Sequence, residues 1–237
     1  MIRLVIFDFD DTLTDNSFLD YQAFLQPGKQ LGIPTPPLKK IRVLRKKGFL
    51  AKEIMKKFLK ENNKKLINDF LIKRSKFLNK SESFRYLKLK KNTKSLLNFL
   101  KKNKIKCILC TTKKNKKMVL NFLVKNNISS YFSKTYFMKD LKFMIDNLDE
   151  SNRVLIKNIL VRKILKNEKI KPNEILFVGN SVDDLKTAKN MKTHFIYFQN
   201  TYLEELSNKK ITKVPSMLSL QKKIKLLYKE NMDESIK

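Results

Sequence analysis

Short hydrophobic runs alternate with longer segments of helical periodicity over much of this 237-residue chain. Five of the runs are apolar and only a few residues long, as is typical of buried strands: IRLVIF, IKCILC, KTYFM, EILFV and HFIYF. The segments between the later runs, among them NRVLIKNILVRKILKNE, place apolar residues at the spacing of one helix face. This alternation predicts an α/β fold in which helices cover both faces of a parallel sheet.

A different pattern interrupts the alternation after the first strand. The segment GKQLGIPTPPLKKIRVLRKKG holds most of the glycine and proline, and the lysine-rich segment that follows it has helical spacing. Three or four helices fit between residues 17 and 86, where no strand pattern occurs. Because the first strand must join the later sheet, we expect a helical insertion at 14–87 in an α/β core made of 1–13 and 88–237.

The net charge of +31 is large, with 53 lysine and arginine residues against 22 aspartate and glutamate. Only seven of the basic residues are arginine, and the lysines occur with many asparagines and isoleucines. This mixture is typical of a coding bias spread over solvated faces, whereas a dedicated phosphate-binding surface favours arginine. We therefore expect weak, salt-sensitive binding to polyanions and no specific nucleic-acid site.

Two further patterns bear on location and on thiol chemistry. No apolar run reaches the roughly 18 residues of a membrane span, and we expect a cytoplasmic protein without a membrane partner. Cys107 and Cys110 form a C-x-x-C pair, but they lie within a strand pattern that directs their side chains to opposite faces. We therefore favour two buried core cysteines over a redox or zinc pair.

Polar side chains follow three of the predicted strands. Asp8 and Asp10 come after the first strand, Thr111 and Thr112 after IKCILC, and GNSVDD after EILFV. The carboxyl ends of parallel strands meet at one edge of the sheet, which is where open α/β sheets bind ligands. Carboxylates, hydroxyls and an amide together form the ligand set of a hard cation such as Mg²⁺.

Four motifs occur in order over nearly the whole chain. D-x-D-x-T after a hydrophobic strand matches residues 8–12, and a threonine that ends a strand matches Thr111. Lys157 matches a lysine on the helix before the last motif, and G-D-x-x-x-D matches 179–184 with Asn180 in place of the first aspartate. The set resembles the haloacid dehalogenase (HAD) superfamily of phosphotransferases. The resemblance implies a Rossmann-like core with a small α-helical cap domain.

The resemblance also implies roles for the motif residues. Asp8 is expected to act as the nucleophile that forms an aspartyl-phosphate. Asp10 is expected to protonate the leaving oxygen and then to activate water. Thr111, Thr112 and Lys157 are expected to bind the transferring phosphoryl group by hydroxyl donation and positive charge.

The metal site that the resemblance implies is altered in this chain. Mg²⁺ is expected to be held by Asp8, the Asp10 backbone carbonyl and the loop that contains Asn180 and Asp184. Asn180 removes one negative charge from this set. Either Asp183 or Asp184 supplies the missing negative charge, or Asp184 mainly orients Lys157 and metal-bound water. We expect a weakened but real dependence on Mg²⁺.

The motifs favour one function and leave two alternatives. A carboxylate at Asp10 favours phosphate esters, because their leaving oxygen needs a proton. We expect a Mg²⁺-dependent phosphatase similar to phosphoglycolate-type phosphatases, with a small phosphorylated metabolite as its partner. The alternatives are a phosphomutase acting on a sugar phosphate and a catalytically weak protein of this fold that binds polyanions.

The insertion at 14–87 resembles the superfamily's helical cap, which closes over small substrates and selects them. Within it, the stretch LRKKG at 44–48 is the candidate specificity loop. Arg45 and Lys47 are expected to meet a second anionic group of the substrate. The alternative for both residues is an ordinary solvated charge beside a turn.

Overall fold

The computed structural model describes residues 1–47, 49–59, 63–113, 115–141, 152–199 and 211–233. Within these ranges the chain forms two compact units. One unit comprises Met1–Thr14, Leu89–Gln199 and the segment from 211, and the other comprises Asp15–Lys88. None of the helices in these ranges combines the length and the apolar character needed to cross a bilayer.

Eight strands form two sheets. They are β1 (Leu4–Phe7), β2 (Thr14–Asp15), β3 (Lys88–Leu89), β4 (Lys106–Thr111), β5 (Lys134–Phe137), β6 (Ile175–Gly179), β7 (His194–Phe198) and β8 (Lys213–Val214). Six of them form a wholly parallel sheet in the order β5-β4-β1-β6-β7-β8, and β2 pairs with β3. The N-terminal strand β1 is therefore central, and β4 and β6 are its neighbours.

Nine α-helices lie in the described ranges. They are α1 (Ser17–Leu31), α2 (Leu38–Lys46), α3 (Ala51–Leu59), α4 (Lys64–Asn79), α5 (Thr93–Lys102), α6 (Lys116–Lys125), α7 (Arg153–Glu168), α8 (Val182–Asn190) and α9 (Met217–Asp233). Helices α7 and α8 pack against each other, as do α5 and α9. The first four helices belong to the second unit, and the last five flank the parallel sheet.

The core under α7 shows how the sequence pattern produces the packing. Ile156, Leu160, Val161 and Ile164 recur at helical spacing and are all completely buried. They share one core cluster with alternate residues of the central strands, including Ile6. Burial of each such side chain contributes about 1.5–3 kcal/mol before entropy is counted. This packing fixes the position of α7 over the strand ends.

The two cysteines lie in this sheet, as the sequence predicted. Cys110 belongs to the cluster under α7, and Cys107, three residues earlier in β4, is buried outside that cluster. Burial raises the pKa of both thiols to about 12, so both stay protonated at neutral pH. This environment suits core packing and does not suit metal ligation or disulfide exchange.

The helical unit has its own core and a buried ion-pair cluster. Its helices pack around Phe24 and Phe70, whose ring centroids are 5.7 Å apart. Asp20 accepts hydrogen bonds from Nε and Nη2 of Arg45, both at 2.9 Å, and from Nη2 of Arg74 at 2.7 Å. Although burial opposes its charge, the two guanidinium groups hold the pKa of Asp20 below its ordinary value.

The α/β fold class predicted from the sequence is confirmed. Each of the five predicted strands is present, and the sheet that they form is parallel. The segment predicted to hold three or four helices contains α1 to α4 and a 3₁₀ helix at Ser81–Tyr86. From Thr93 to Phe198, the order of the described strands and helices also follows the predicted alternation, whereas β3, β8 and α9 were not predicted.

Candidate active site

Asp8 occupies the centre of the candidate site because it follows the central strand β1. In the parallel register, the last residue of β1, Phe7, pairs with Leu109 of β4 and Val178 of β6, within two residues of the ends of those strands. The Asp8 amide donates to the carbonyl of Val178 at 3.0 Å, which continues the β1–β6 pairing by one residue. The three strand ends thus bring Asp8, Thr111 and Asn180 to one edge of the sheet, and all three are buried.

Lys157 on α7 joins two buried carboxylates. Its Nζ donates to Oδ1 of Asp8 at 2.9 Å and to Oδ1 of Asp184. The exposed fraction is 5% for Asp8, 4% for Lys157 and zero for Asp184. Although burial alone would lower it, the pKa of Lys157 is held above its ordinary value by Asp184 and Asp8. The ammonium group therefore stays charged between its two partners.

Asp184 is fixed by the start of α8. Its Oδ2 accepts hydrogen bonds from the amides of Asn180 and Ser181, both at 3.1 Å, and from the Ser181 hydroxyl at 2.6 Å. In return, the Ser181 hydroxyl caps the helix by accepting from the Asp184 amide. A Cβ at Gly179 would collide with the Asp184 side chain, which explains why glycine stands there. These contacts favour an orienting role for Asp184 over direct metal ligation.

Asp8 carries negative charge that its protein partners do not fully compensate. Burial raises its pKa from 3.8 to about 7, against the lowering effect of Lys157, and both Asp184 and Asp10 raise it further. The buried trio of Asp8, Lys157 and Asp184 holds two carboxylates against one ammonium group. A cation at this position would relieve the excess negative charge.

The oxygen donors around Asp8 suit a hard divalent cation. The Asn180 side-chain oxygen accepts a hydrogen bond from the Thr12 hydroxyl at 3.3 Å, and both residues are buried. Asp8, the Asp10 carbonyl and Asn180 supply a carboxylate, a backbone oxygen and an amide oxygen. The described part of the chain contains no group of three or more carboxylate, histidine or cysteine side chains that could hold a metal ion. These three oxygen donors therefore supply less negative charge to a bound cation than three carboxylates would.

Asp10 lies in a tight turn after β1 and is paired with a lysine from the β4 end. Its Oδ1 accepts a hydrogen bond from Nζ of Lys113 at 2.7 Å. The turn continues through Asp11, whose positive φ of 57° places it in the left-handed region. The Thr14 hydroxyl closes the turn by donating to the carbonyl of Phe9 at 3.0 Å.

The structure places the predicted site residues in two groups. The first group lies at the strand ends of the α/β unit or on the helices beside them, and it consists of Asp8, Asp10, Thr111, Thr112, Lys157, Asn180 and Asp184. Arg45 and Lys47 lie in the helical unit, where Arg45 is committed to Asp20 and Lys47 is exposed at the end of α2. Gly48, the last residue of the predicted specificity loop, lies outside the described residues.

Lys113 and Ser181 were not among the predicted site residues. Lys113 follows Thr112 directly, and this position just after a strand end is the sequence feature that could have marked it as a site residue. That signal was obscured by the abundance of lysine in the chain. Ser181 has the spacing of a helix cap, with Asp184 three residues later and an apolar residue between them.

Comparison with known proteins identifies the family to which this chain is similar. A family model described as haloacid dehalogenase-like hydrolase matches residues 5–198. A search of curated protein sequences finds no significant match.

Solved structures resemble the chain over almost its full length. A haloacid dehalogenase-like family hydrolase from Streptococcus pneumoniae aligns with a TM-score of 0.69 and 19% identity, covering 94% of this chain and 98% of its own. A protein from Haemophilus somnus described as a predicted phosphoglycolate phosphatase gives a TM-score of 0.68 at 18% identity, covering 93% of this chain and 97% of its own. A Thermotoga maritima protein described as a “putative beta-phosphoglucomutase” gives a TM-score of 0.65 at 18% identity, covering 94% of this chain and 99% of its own. At these identities the likeness establishes the fold.

Replacing Asp8 by asparagine is expected to change how the stability of the fold depends on pH. Because the pKa of Asp8 rises from 3.8 to about 7 on folding, the folded chain binds this proton more tightly than the unfolded chain. The stability of the unsubstituted protein should therefore decline, relative to Asp8→Asn, as the pH rises through this window. Relative to the unsubstituted protein, the stability of the variant should rise by up to about 4 kcal/mol between pH 4 and pH 8.

Urea unfolding followed by circular dichroism, without divalent cations, measures this difference. Asp69→Asn on α4 is the control, because it removes one carboxylate away from the strand ends. An Asp8→Asn advantage that shrinks as the pH rises would contradict the assigned environment of Asp8.

Proposed function

Since the chain belongs to the family of haloacid dehalogenase-like hydrolases, we propose that it hydrolyses phosphate monoesters of small molecules. The observation that carries this proposal is the buried contact of Lys157 with Asp8 and Asp184 at the end of the central strand. Asp10 follows the same strand two residues after Asp8, and Thr111 ends the neighbouring strand β4. The combination supplies a nucleophile, a proton carrier and positive charge in one place.

The first step forms a covalent intermediate. A carboxylate oxygen of Asp8 attacks phosphorus, the bond to the leaving oxygen breaks, and a proton from the Asp10 carboxyl group passes to that oxygen. Lys157 and Thr111 bind the oxygens of the transferring group, where negative charge is concentrated. The burial of Lys157 supports this role, because its charge is little screened by solvent.

The second step returns the enzyme to its starting state. Asp10, now ionised, takes a proton from a water molecule that attacks the phosphorus of the aspartyl-phosphate. The bond between phosphorus and the Asp8 oxygen breaks, and inorganic phosphate is released. Asp10 ends this step protonated, as it began the first one.

Mg²⁺ is the proposed cofactor, held by Asp8, the Asp10 backbone carbonyl and the Asn180 side-chain oxygen. When bound, it supplies positive charge that offsets the repulsion between the phosphate and the carboxylates. Asp184 is assigned to hold Lys157 and the Asn180 amide in place. The excess negative charge at Asp8 supports this cofactor, and the single carboxylate ligand supports a weaker affinity.

The helical unit is proposed to act as a cap that selects the substrate. Its division from the α/β unit supports a separate role. The substrate class is a small phosphorylated metabolite, and the proposed location is the cytoplasm. Lys47 stays a candidate for contact with a second anionic group, whereas the ion pair with Asp20 favours a structural role for Arg45.

Phosphate release from 4-nitrophenyl phosphate is expected to require both Mg²⁺ and Asp8. Turnover should fall by at least about 10³-fold in Asp8→Asn, because an amide cannot form the covalent intermediate. Asp69→Asn should retain the activity of the unsubstituted protein. Equal phosphate release by the Asp8→Asn variant would overturn the proposed function.

Asn180→Asp is expected to lower the Mg²⁺ concentration needed for half-maximal activity by about tenfold or more, because a carboxylate replaces the amide as ligand. Titration of turnover with Mg²⁺ measures the change. Asn121→Asp on the exposed surface of α6 adds the same charge elsewhere and should leave the titration unchanged. An identical titration for Asn180→Asp would remove Asn180 from the proposed ligand set.

A further inference from the structure

Lys113 contacts the proposed proton carrier from a different strand end. It lies two residues beyond β4, whereas Asp10 lies three residues beyond β1, and these strands are neighbours in the sheet. The distance from Nζ of Lys113 to Oδ1 of Asp10 is 2.7 Å. The contact therefore links the two loops that would face the leaving group and the phosphoryl group.

The Lys113 ammonium group is itself held in place. The Lys113 amide donates to the Thr111 hydroxyl at 3.2 Å, which fixes the backbone just after β4. Its Nζ lies 5.8 Å from the ring centroid of Phe9. Phe9 is completely buried and packs edge-to-face on Phe122 at 5.6 Å. Lys113 thus approaches Asp10 from a largely buried position.

Asp10 is the more exposed partner of the pair. The exposed fraction of its side chain is 36%, against 18% for Lys113. A half-exposed carboxylate on a turn has several rotamers open to it, and a fixed ammonium partner restricts that choice. The pairing therefore suits a function in which the orientation of the Asp10 carboxyl group matters.

We propose that Lys113 is a positioning residue that holds the Asp10 carboxyl group in the orientation needed for proton transfer to the leaving oxygen. This inference rests on the proposed function and adds a residue to it. With Oδ1 bound to the ammonium group, Oδ2 carries the proton that passes to the leaving oxygen in the first step. Oδ2 then receives the proton from water in the second step, so Lys113 undergoes no net change.

Changing the leaving group distinguishes a positioning role of Lys113 from a purely structural one, because a structural role would affect all esters alike. The phenolate of an acidic phenol leaves readily without a proton, whereas the departure of a less acidic phenol depends on proton transfer to its oxygen. The probes are 4-nitrophenyl phosphate and phenyl phosphate, which differ little in shape. Lys113→Met should lose at least about tenfold more kcat/KM on phenyl phosphate than on 4-nitrophenyl phosphate.

Two further variants sharpen the comparison. Lys113→Arg retains a cationic donor and should restore most of the activity on phenyl phosphate. Lys116→Met removes the neighbouring lysine that pairs with Asp140 and should leave the ratio of the two esters unchanged. Activity of Lys113→Met on 4-nitrophenyl phosphate shows that the variant is folded.

The outcomes separate this inference from the proposed function. A loss shared equally by both esters, or no loss on either, overturns the positioning role while the Asp8-dependent turnover of the unsubstituted protein stands. Absence of turnover on both esters by the unsubstituted, Mg²⁺-supplied protein rejects the proposed function and this inference with it.

Discussion

One buried ammonium group between two buried carboxylates is the interaction on which the candidate site depends. Desolvation makes such a cluster a poor source of stability, so its value lies in the geometry that it imposes. The position of Lys157 depends on α7 covering the strand ends. The position of Asp184 depends on the helix cap at Ser181 and on the absence of a side chain at Gly179. The negative charge left over at Asp8 is the feature that makes the edge of this sheet suitable for a cation and for nucleophilic chemistry.

The sequence predicted the fold well because its signals are local. Short apolar runs and intervening helical periodicity are readable without knowledge of contacts, and the order of strands and helices follows from them. The strand-end positions of Asp8, Thr111 and Asn180 come from the same patterns. Lys157 was predicted only through resemblance to known motifs, because one lysine among so many carries little information by itself.

The remaining parts of the site depend on contacts between residues distant in sequence. Lys113 and Asp10 are 103 residues apart, and their pairing depends on which strands are neighbours and on the side-chain conformations. The ion pair of Arg45 with Asp20 also changes the interpretation of a residue that appeared suited to substrate binding. Here two of only seven arginines contact one buried carboxylate, while lysines supply most of the basic charge. That charge favours the approach of anionic substrates in general, whereas selection among them requires positioned groups.

Trapping the phosphorylated enzyme shows whether Asp8 forms the covalent intermediate. Acid-quenched samples taken during turnover with Mg²⁺ can be examined by mass spectrometry for a phosphoryl group and mapped to a residue. With 4-nitrophenyl phosphate, whose leaving oxygen needs little help from a proton, Asp10→Asn should slow mainly the breakdown of the intermediate and increase the amount trapped. If Asp8 is the nucleophile, one phosphoryl group should be found on Asp8 and none on the Asp8→Asn variant. A phosphoryl group on another residue, or steady turnover without any phosphorylated enzyme in either protein, would contradict it.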